Sequence, residues 1–233
     1  MDKIKEFKRG ANHGIPIALG YISVSFTFGL MAVSAGMTWW QAVLISMTNL
    51  TSAGQFAGLD IITMCGGYIE MALTQLVINL RYALMSISMS QKADSTFSVP
   101  ARLAVGFGVT DEVFGVAVGK NKSINKYYMA GLIAVPYAGW AAGTAAGAVM
   151  GEVLPAVVCD ALGIAIYGMF LAIIIPQASD DIRCMKVIII AAVFACCFRY
   201  IPFLKGISSG FVIIICAVLA SVIGAVLYPV EEE

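Results

Sequence analysis

Arg81 stands with Asn79 and Tyr82 in the segment YIEMALTQLVINLRYALMSISMS at 68–90, which is long enough to cross a bilayer. An arginine near the middle of such a span costs about 2.5–3.5 kcal/mol on insertion scales, so it survives where it meets a polar cavity, a partner charge or a ligand. Its guanidinium stays charged and presents a planar fork of donors that matches a carboxylate. Arg81 can therefore hold the carboxylate of a passing solute, or pair with an acid of the chain. Asp111 and Glu112, inside the apolar run at 102–119, are the natural acids. Helix neighbours point about 100° apart, so the two cannot serve one spot. One of them, with Asp111 favoured, is expected to face the pathway, while the other pairs or snorkels to the interface; either could be the partner of Arg81. A carboxylic acid balanced between apolar surroundings and a nearby arginine suits coupling to a proton gradient. The plain alternatives are a static ion pair tying helices together, or a tilted run whose acids both reach the interface.

A second polar group interrupts the run at 39–66, which is too long for one plain helix. Its break is expected at Thr51-Ser52-Ala53-Gly54-Gln55, where two half-helices would meet. Free N–H groups at Ser52 and Gly54, with the dipole of the second half-helix, would favour a carboxylate, and Gln55 could add a side-chain contact. A kink that only lets another helix approach is the alternative. Thr110-Asp111-Glu112 breaks the 102–119 run, and Pro136 is expected to interrupt the next one. Unwound backbone at that depth persists only inside protein or against water.

Apolar runs fall near 15–36, 39–66, 68–90, 102–119, 127–150, 153–176, 184–203 and 206–228. With the N-terminus inside and each run crossing once, Lys3, Lys5, Lys8, Arg9, Lys120, Lys122, Lys126, Arg183 and Lys186 lie inside. Lys92, Arg102 and Lys205 lie outside. This bias is what the positive-inside rule requires, and it vanishes if 102–119 is re-entrant. Eight crossings with both ends cytoplasmic is the preferred count, and seven is the alternative if one of the short or broken runs does not cross. Residues 1–233 read as one transmembrane domain, with a cytoplasmic leader at 1–14 and a tail at 229–233. The first run exceeds a signal-peptide core and lacks a small-residue cleavage site.

Arg81-Tyr82 recurs as Arg199-Tyr200, and Gly36 ending the first run is answered by Gly151 ending the fifth. A parallel repeat of three-helix halves and chance similarity of apolar helices both account for this. Gly139, Gly143, Gly147 and Gly151 form a bare helical face for close packing, against this chain or a partner. Asp160 and Arg199 repeat the acid–base theme, with structural pairing or an interfacial position expected of both; Asp60 and Glu70 are expected at headgroups or water. Trp39, Trp40, Tyr127 and Tyr128 are expected to anchor at the interface.

The composition fits this. Of 233 residues, 60% are hydrophobic and 12% charged, and mean hydropathy is +0.90, so lipid is the main solvent. Net charge is zero, with no basic excess or phosphate loop to point to nucleic acid. The cysteines Cys65, Cys159, Cys184, Cys196, Cys197 and Cys216 include no Cys-x-x-Cys pair and read as small core residues. His13 is the sole histidine, so a histidine metal site has no second ligand. No cofactor is expected, and an intramembrane enzyme is disfavoured because no His pair, Cys–His pairing or Ser–Lys arrangement is evident.

GYISVSFTFGLMAVSAG at 20–36, SAGQF at 52–56, NLRYALMS at 79–86 and TDEVFG at 110–115 together resemble the azaleucine-resistance (AzlC-type) permeases. The likeness covers most of the chain, is strongest from Gly14 to Glu112, and is only general in the second half. It implies the large subunit of a branched-chain amino acid exporter, handling leucine, isoleucine, valine and methionine, with a small AzlD-like membrane partner. The combined expectation is an all-α, polytopic inner-membrane transporter. Its substrate site would comprise Ser52, Gly54, Gln55, Asn79, Arg81 and Tyr82, with Asp111 and Glu112 as proton-coupling or ion-pair acids. A passive channel for small amphipathic solutes and a scaffold subunit of a larger membrane complex are the rival readings.

Overall fold

The computed structural model describes residues 2–119, 123–153, 181–204 and 206–228, with positions 155, 157, 171, 174, 175, 178 and 179 between them. Lys120, Lys122, Cys159, Asp160, Lys205 and the tail from 229 lie outside the described residues, as does most of the 153–176 run. Among the described residues the chain is all-α, with nine helices, one 3-10 turn at Pro202–Leu204 and a lone bridge between Ala93 and Ile124. The helices are α1 Lys3–Ser34, α2 Trp39–Thr48, α3 Ser52–Thr63, α4 Tyr68–Lys92, α5 Val99–Phe107, α6 Asp111–Val118, α7 Lys126–Val153, α8 Ile182–Tyr200 and α9 Ser209–Leu227.

Three of them are long and apolar enough to cross a membrane: α1, α7 over Lys126–Gly151, and α9. Helix α4 presents Leu76, Leu80, Leu84 and Ile87 outward, each more than half exposed, at the three- and four-residue spacing of one helical stripe. A surface this apolar is stable only against lipid or another apolar face.

The chain divides into two compact units, one from residues 1–55 and 79–163, the other from 56–78 and 164–233. The first is organised by the pairing of α1 with α7. A Cβ on Gly10 would collide with the Tyr128 carbonyl, and one on Gly147 with that of Phe26; at Gly143 it would lie 2.6 Å from the Ile22 carbonyl oxygen. Backbone meets backbone along this seam, as small residues permit. The glycine face of α7 is therefore filled by α1 of the same chain. Contacts advance together, from Gly10 against Tyr128 to Leu30 against Gly151, so the two helices run parallel. If both span the bilayer, an odd number of crossings separates them. Single crossings by α2–α3, α4 and α5–α6 meet that condition.

Two expectations about helix breaks are corrected. The 39–66 run breaks at Asn49–Thr51, not at Ser52–Gln55: the Gln55 amide donates to the Thr51 carbonyl at 2.9 Å, so Ser52, Gly54 and Gln55 form the first turn of α3. Pro136 does not interrupt α7, which is continuous around it. The missing N–H of a proline removes one helical bond, and the tight seam at Gly14 and Leu132 holds the helix in place. The 102–119 run breaks at Gly108–Thr110, so of the expected Thr110-Asp111-Glu112 only Thr110 lies in the break, and both acids are helical. There Thr110 caps α6 by accepting from the Val113 amide, leaving Asp111 and Glu112 at a helix N-terminus that favours anions.

In the second unit, Glu70 is buried, not at the headgroups. Its Oε1 accepts from the Gly210 amide at 3.0 Å and so caps the start of α9. Tyr128 likewise is core, 2% exposed and 2.9 Å from His13 Nδ1. The described cysteines Cys65, Cys184, Cys196, Cys197 and Cys216 are unbridged, and of these Cys65 and Cys196 are exposed, not packed inside.

Candidate functional site

Arg81 lies midway along α4, and its Nη1 is 2.6 Å from Asp111 Oδ2 at the start of α6. Both side chains are 46% exposed, so the pair sits in an open position, not an enclosed one. The same guanidinium donates from Nη2 to Tyr82 Oη at 3.2 Å and stacks 4.9 Å from that ring's centre. Tyr82 Oη in turn reaches Thr51 Oγ1 at 3.5 Å, at the α2–α3 break. Within the first unit, one polar line thus joins both helix breaks through Arg81. A half-exposed ion pair exchanges readily with water or a competing ion, whereas a buried one does not.

The two acids divide as their 100° offset requires. Glu112 Oε2 lies 2.5 Å from Tyr21 Oη, which is also 2.6 Å from Thr110 Oγ1. One phenol proton cannot serve both, and the carboxylate is the stronger acceptor. Tyr21 is buried with its ring edge-on to Trp140, 5.1 Å between centres. Glu112 is thereby tied to α1, while Asp111 is left to Arg81.

Gln55 turns elsewhere. Its Nε2 donates to Ser46 Oγ at 3.0 Å, and Ser46 is 2.7 Å from Thr144 Oγ1, all three residues fully buried. Gln55 Oε1 has no hydrogen-bond partner among the described residues. This chain of neutral polar groups links α2, α3 and α7. Ser52 and Gly54 lie in the first turn of α3, and Asn79, two residues before Arg81, points about 200° away from it around α4. Of the expected site, the structure brings together Arg81, Tyr82 and Asp111, with Thr51 added. No group of three or more His, Cys, Asp or Glu residues is gathered for a metal among the described residues.

The AzlC protein family profile matches residues 16–154, which contain every residue of this arrangement. The chain belongs to the AzlC family. An uncharacterized membrane protein of Archaeoglobus fulgidus is 33% identical over 179 residues, covering 76% of this chain and 78% of that one. The inner membrane protein YgaZ of Escherichia coli strain K12 is 28% identical, covering 73% of each chain. An uncharacterized membrane protein of Helicobacter pylori strain J99 is 24% identical over 65% of this chain and 67% of its own. No solved structure matches. This AzlC-family chain is thus an all-α integral membrane protein.

No role was expected of Tyr21, Ser46 or Thr144, and of Thr110 only a place in a helix break. Tyr21 is the second residue of one of the segments that carried the resemblance, and a phenol among small apolar residues in a span was its available signal. Ser46 and Thr144 carried none, since hydroxyls in apolar helices usually bond to their own backbone.

Proposed function

We propose that this AzlC-family protein is the large subunit of an exporter for leucine, isoleucine and valine, sited in the cell's inner membrane with a cytoplasmic N-terminus. The observation that carries the reading is the half-exposed Arg81–Asp111 pair beside two helix breaks in a membrane protein. Substrate carboxylate competes with Asp111 for the guanidinium; the displaced Asp111 takes a proton, and export is thereby coupled to proton entry. Tyr82 and Thr51 supply neutral hydrogen bonds near the same guanidinium, and the α3 N-terminus at Ser52–Gln55 lies at the adjoining break. A branched tail differing by one methylene is discriminated by only about 1–3 kcal/mol, so methionine leaks through. A small AzlD-like subunit completes the exporter. The name of the YgaZ relative, an inner membrane protein, supports the location.

The test is counterflow of labelled leucine in proteoliposomes, with and without the small subunit. Arg81→Ala and Arg81→Lys are expected to abolish flux while the protein stays in the membrane; full flux in both removes Arg81 from the mechanism. Flux that survives collapse of the proton gradient and follows only the leucine gradient indicates a passive channel.

A further inference from the structure

The second unit contains a cavity of about 950 Å³ between α3, α8 and α9. That volume lies within the ~300–1,000 Å³ range of small-molecule pockets. Two opposite charges line it, Asp60 from α3 and Arg199 from α8. Neither has an ion-pair partner among the described residues, where the pairs formed are Arg9–Glu6 and Arg81–Asp111. Asp60 and Arg199 thus line one cavity without forming an ion pair with each other.

The placement of Asp60 is itself informative. It sits in the last turn of α3, where the negative end of the helix repels a carboxylate. Asp60 is exposed, and no Lys or Arg of the described residues pairs with it, so its carboxylate can receive a cation. Arg199 sits in the last turn of α8, where the dipole favours it, so its charge is stable without an acid and remains available. The hydroxyls of Ser208 and Ser209 also line the cavity and have no hydrogen-bond partner among the described residues. The rest of the lining includes Met64, Phe198, Val212 and Ile213, an apolar wall suited to an aliphatic side chain.

We infer that this cavity is a second binding site, specific for a small zwitterion of the α-amino acid class with an apolar side chain. Asp60 receives the ammonium, Arg199 the carboxylate, and the two serines the remaining donors and acceptors. The Arg199-Tyr200 pair, with both residues on the lining, does here with a free acid what Arg81-Tyr82 does with a bound one. The inference draws on the export reading for its choice of probe and for the leucine bound at Arg81, not for the site itself.

The experiment is equilibrium binding of labelled leucine to the full chain in nanodiscs. The unaltered chain is expected to bind about two leucines, and Arg81→Gln about one. In the Arg81→Gln chain, adding Asp60→Asn or Arg199→Gln is expected to weaken the remaining site by about tenfold or more, the scale of a charge-assisted bond. A second measurement needs no further substitution: on the Arg81→Gln chain, 4-methylpentanoate and isopentylamine, each lacking one charge, should compete at least about tenfold less well than leucine. The inference is overturned if the unaltered chain binds no leucine or Arg81→Gln abolishes all binding. It is equally overturned if both added substitutions leave binding unchanged, or if the single-charge analogues compete as well as leucine. The efflux of leucine by Arg81→Gln judges the first site separately, since full export there sinks the Arg81 reading and leaves this one standing.

Discussion

If Arg81 and Asp111 serve transport and not scaffolding, their coupling energy should be small while their joint effect on flux is large. The geometry sets both sides of that contrast. At 2.6 Å the contact is close, yet each side chain is 46% exposed. Pairs with that exposure are worth about 0.2–1 kcal/mol in double-mutant cycles, against about 3–5 kcal/mol for breaking a buried pair. The cycle comprises Arg81→Gln, Asp111→Asn and the double variant, unfolded in mixed micelles by a denaturing detergent. Asp111→Asn alone also loses about 0.3–1 kcal/mol of favourable interaction with the α6 N-terminus, which the cycle subtracts. We expect a coupling of about 1 kcal/mol or less, with leucine efflux falling more than about tenfold in each single variant. A coupling above about 3 kcal/mol, with efflux restored in the double variant, would show a structural strut and refute the reasoning.

Gly147→Val drives a side chain into the Phe26 carbonyl and should cost about 1–3 kcal/mol or more, read in the same unfolding assay, whereas Gly106→Ala, with open space around it, should cost far less. Tyr21→Phe removes the phenol from Glu112 and should destabilise by about 1–2 kcal/mol, because Glu112 is exposed enough to regain water. Glu70→Ala uncaps α9 and should speed amide exchange at Gly210 while costing about 1 kcal/mol, with Glu70→Gln retaining part of the protection. The parallel seam places Lys3 and Lys126 on one side of the membrane and Met37 and Val153 on the other, so single cysteines there should label from opposite faces in those pairs; labelling of Lys3 and Lys126 from opposite faces would break the parity.

The helical membrane fold, an acid of the 111–112 pair beside Arg81 and the impossibility of both acids serving one spot were legible in the sequence, but which acid meets Arg81 was not. Each follows from local physics: hydropathy, the cost of a charge in lipid, and the angle between helix neighbours. The exact break between α2 and α3 was not, because Ser52-Ala53-Gly54 reads as helix-breaking while Asn49 and Thr51, which end α2 and cap α3, carry no stronger signal. Pro136 misled for a related reason. A proline disfavours a helix locally, but contact with α1 outweighs that preference, and such contact is invisible one segment at a time. Gln55 and Glu70 show the same limit: Gln55 joins Ser46, which meets Thr144 98 positions further on, and Glu70 meets Gly210 140 positions away.

The α1–α7 seam also has a mechanical consequence. Where two backbones touch without intervening side chains, there are no rotamers to yield, so shear between them is stiff and the pair behaves as a single beam. Rearrangement within the first unit then falls to the short rods hinged at Asn49–Thr51 and Gly108–Thr110, which the adjacent Arg81 and Tyr82 link side chain to side chain.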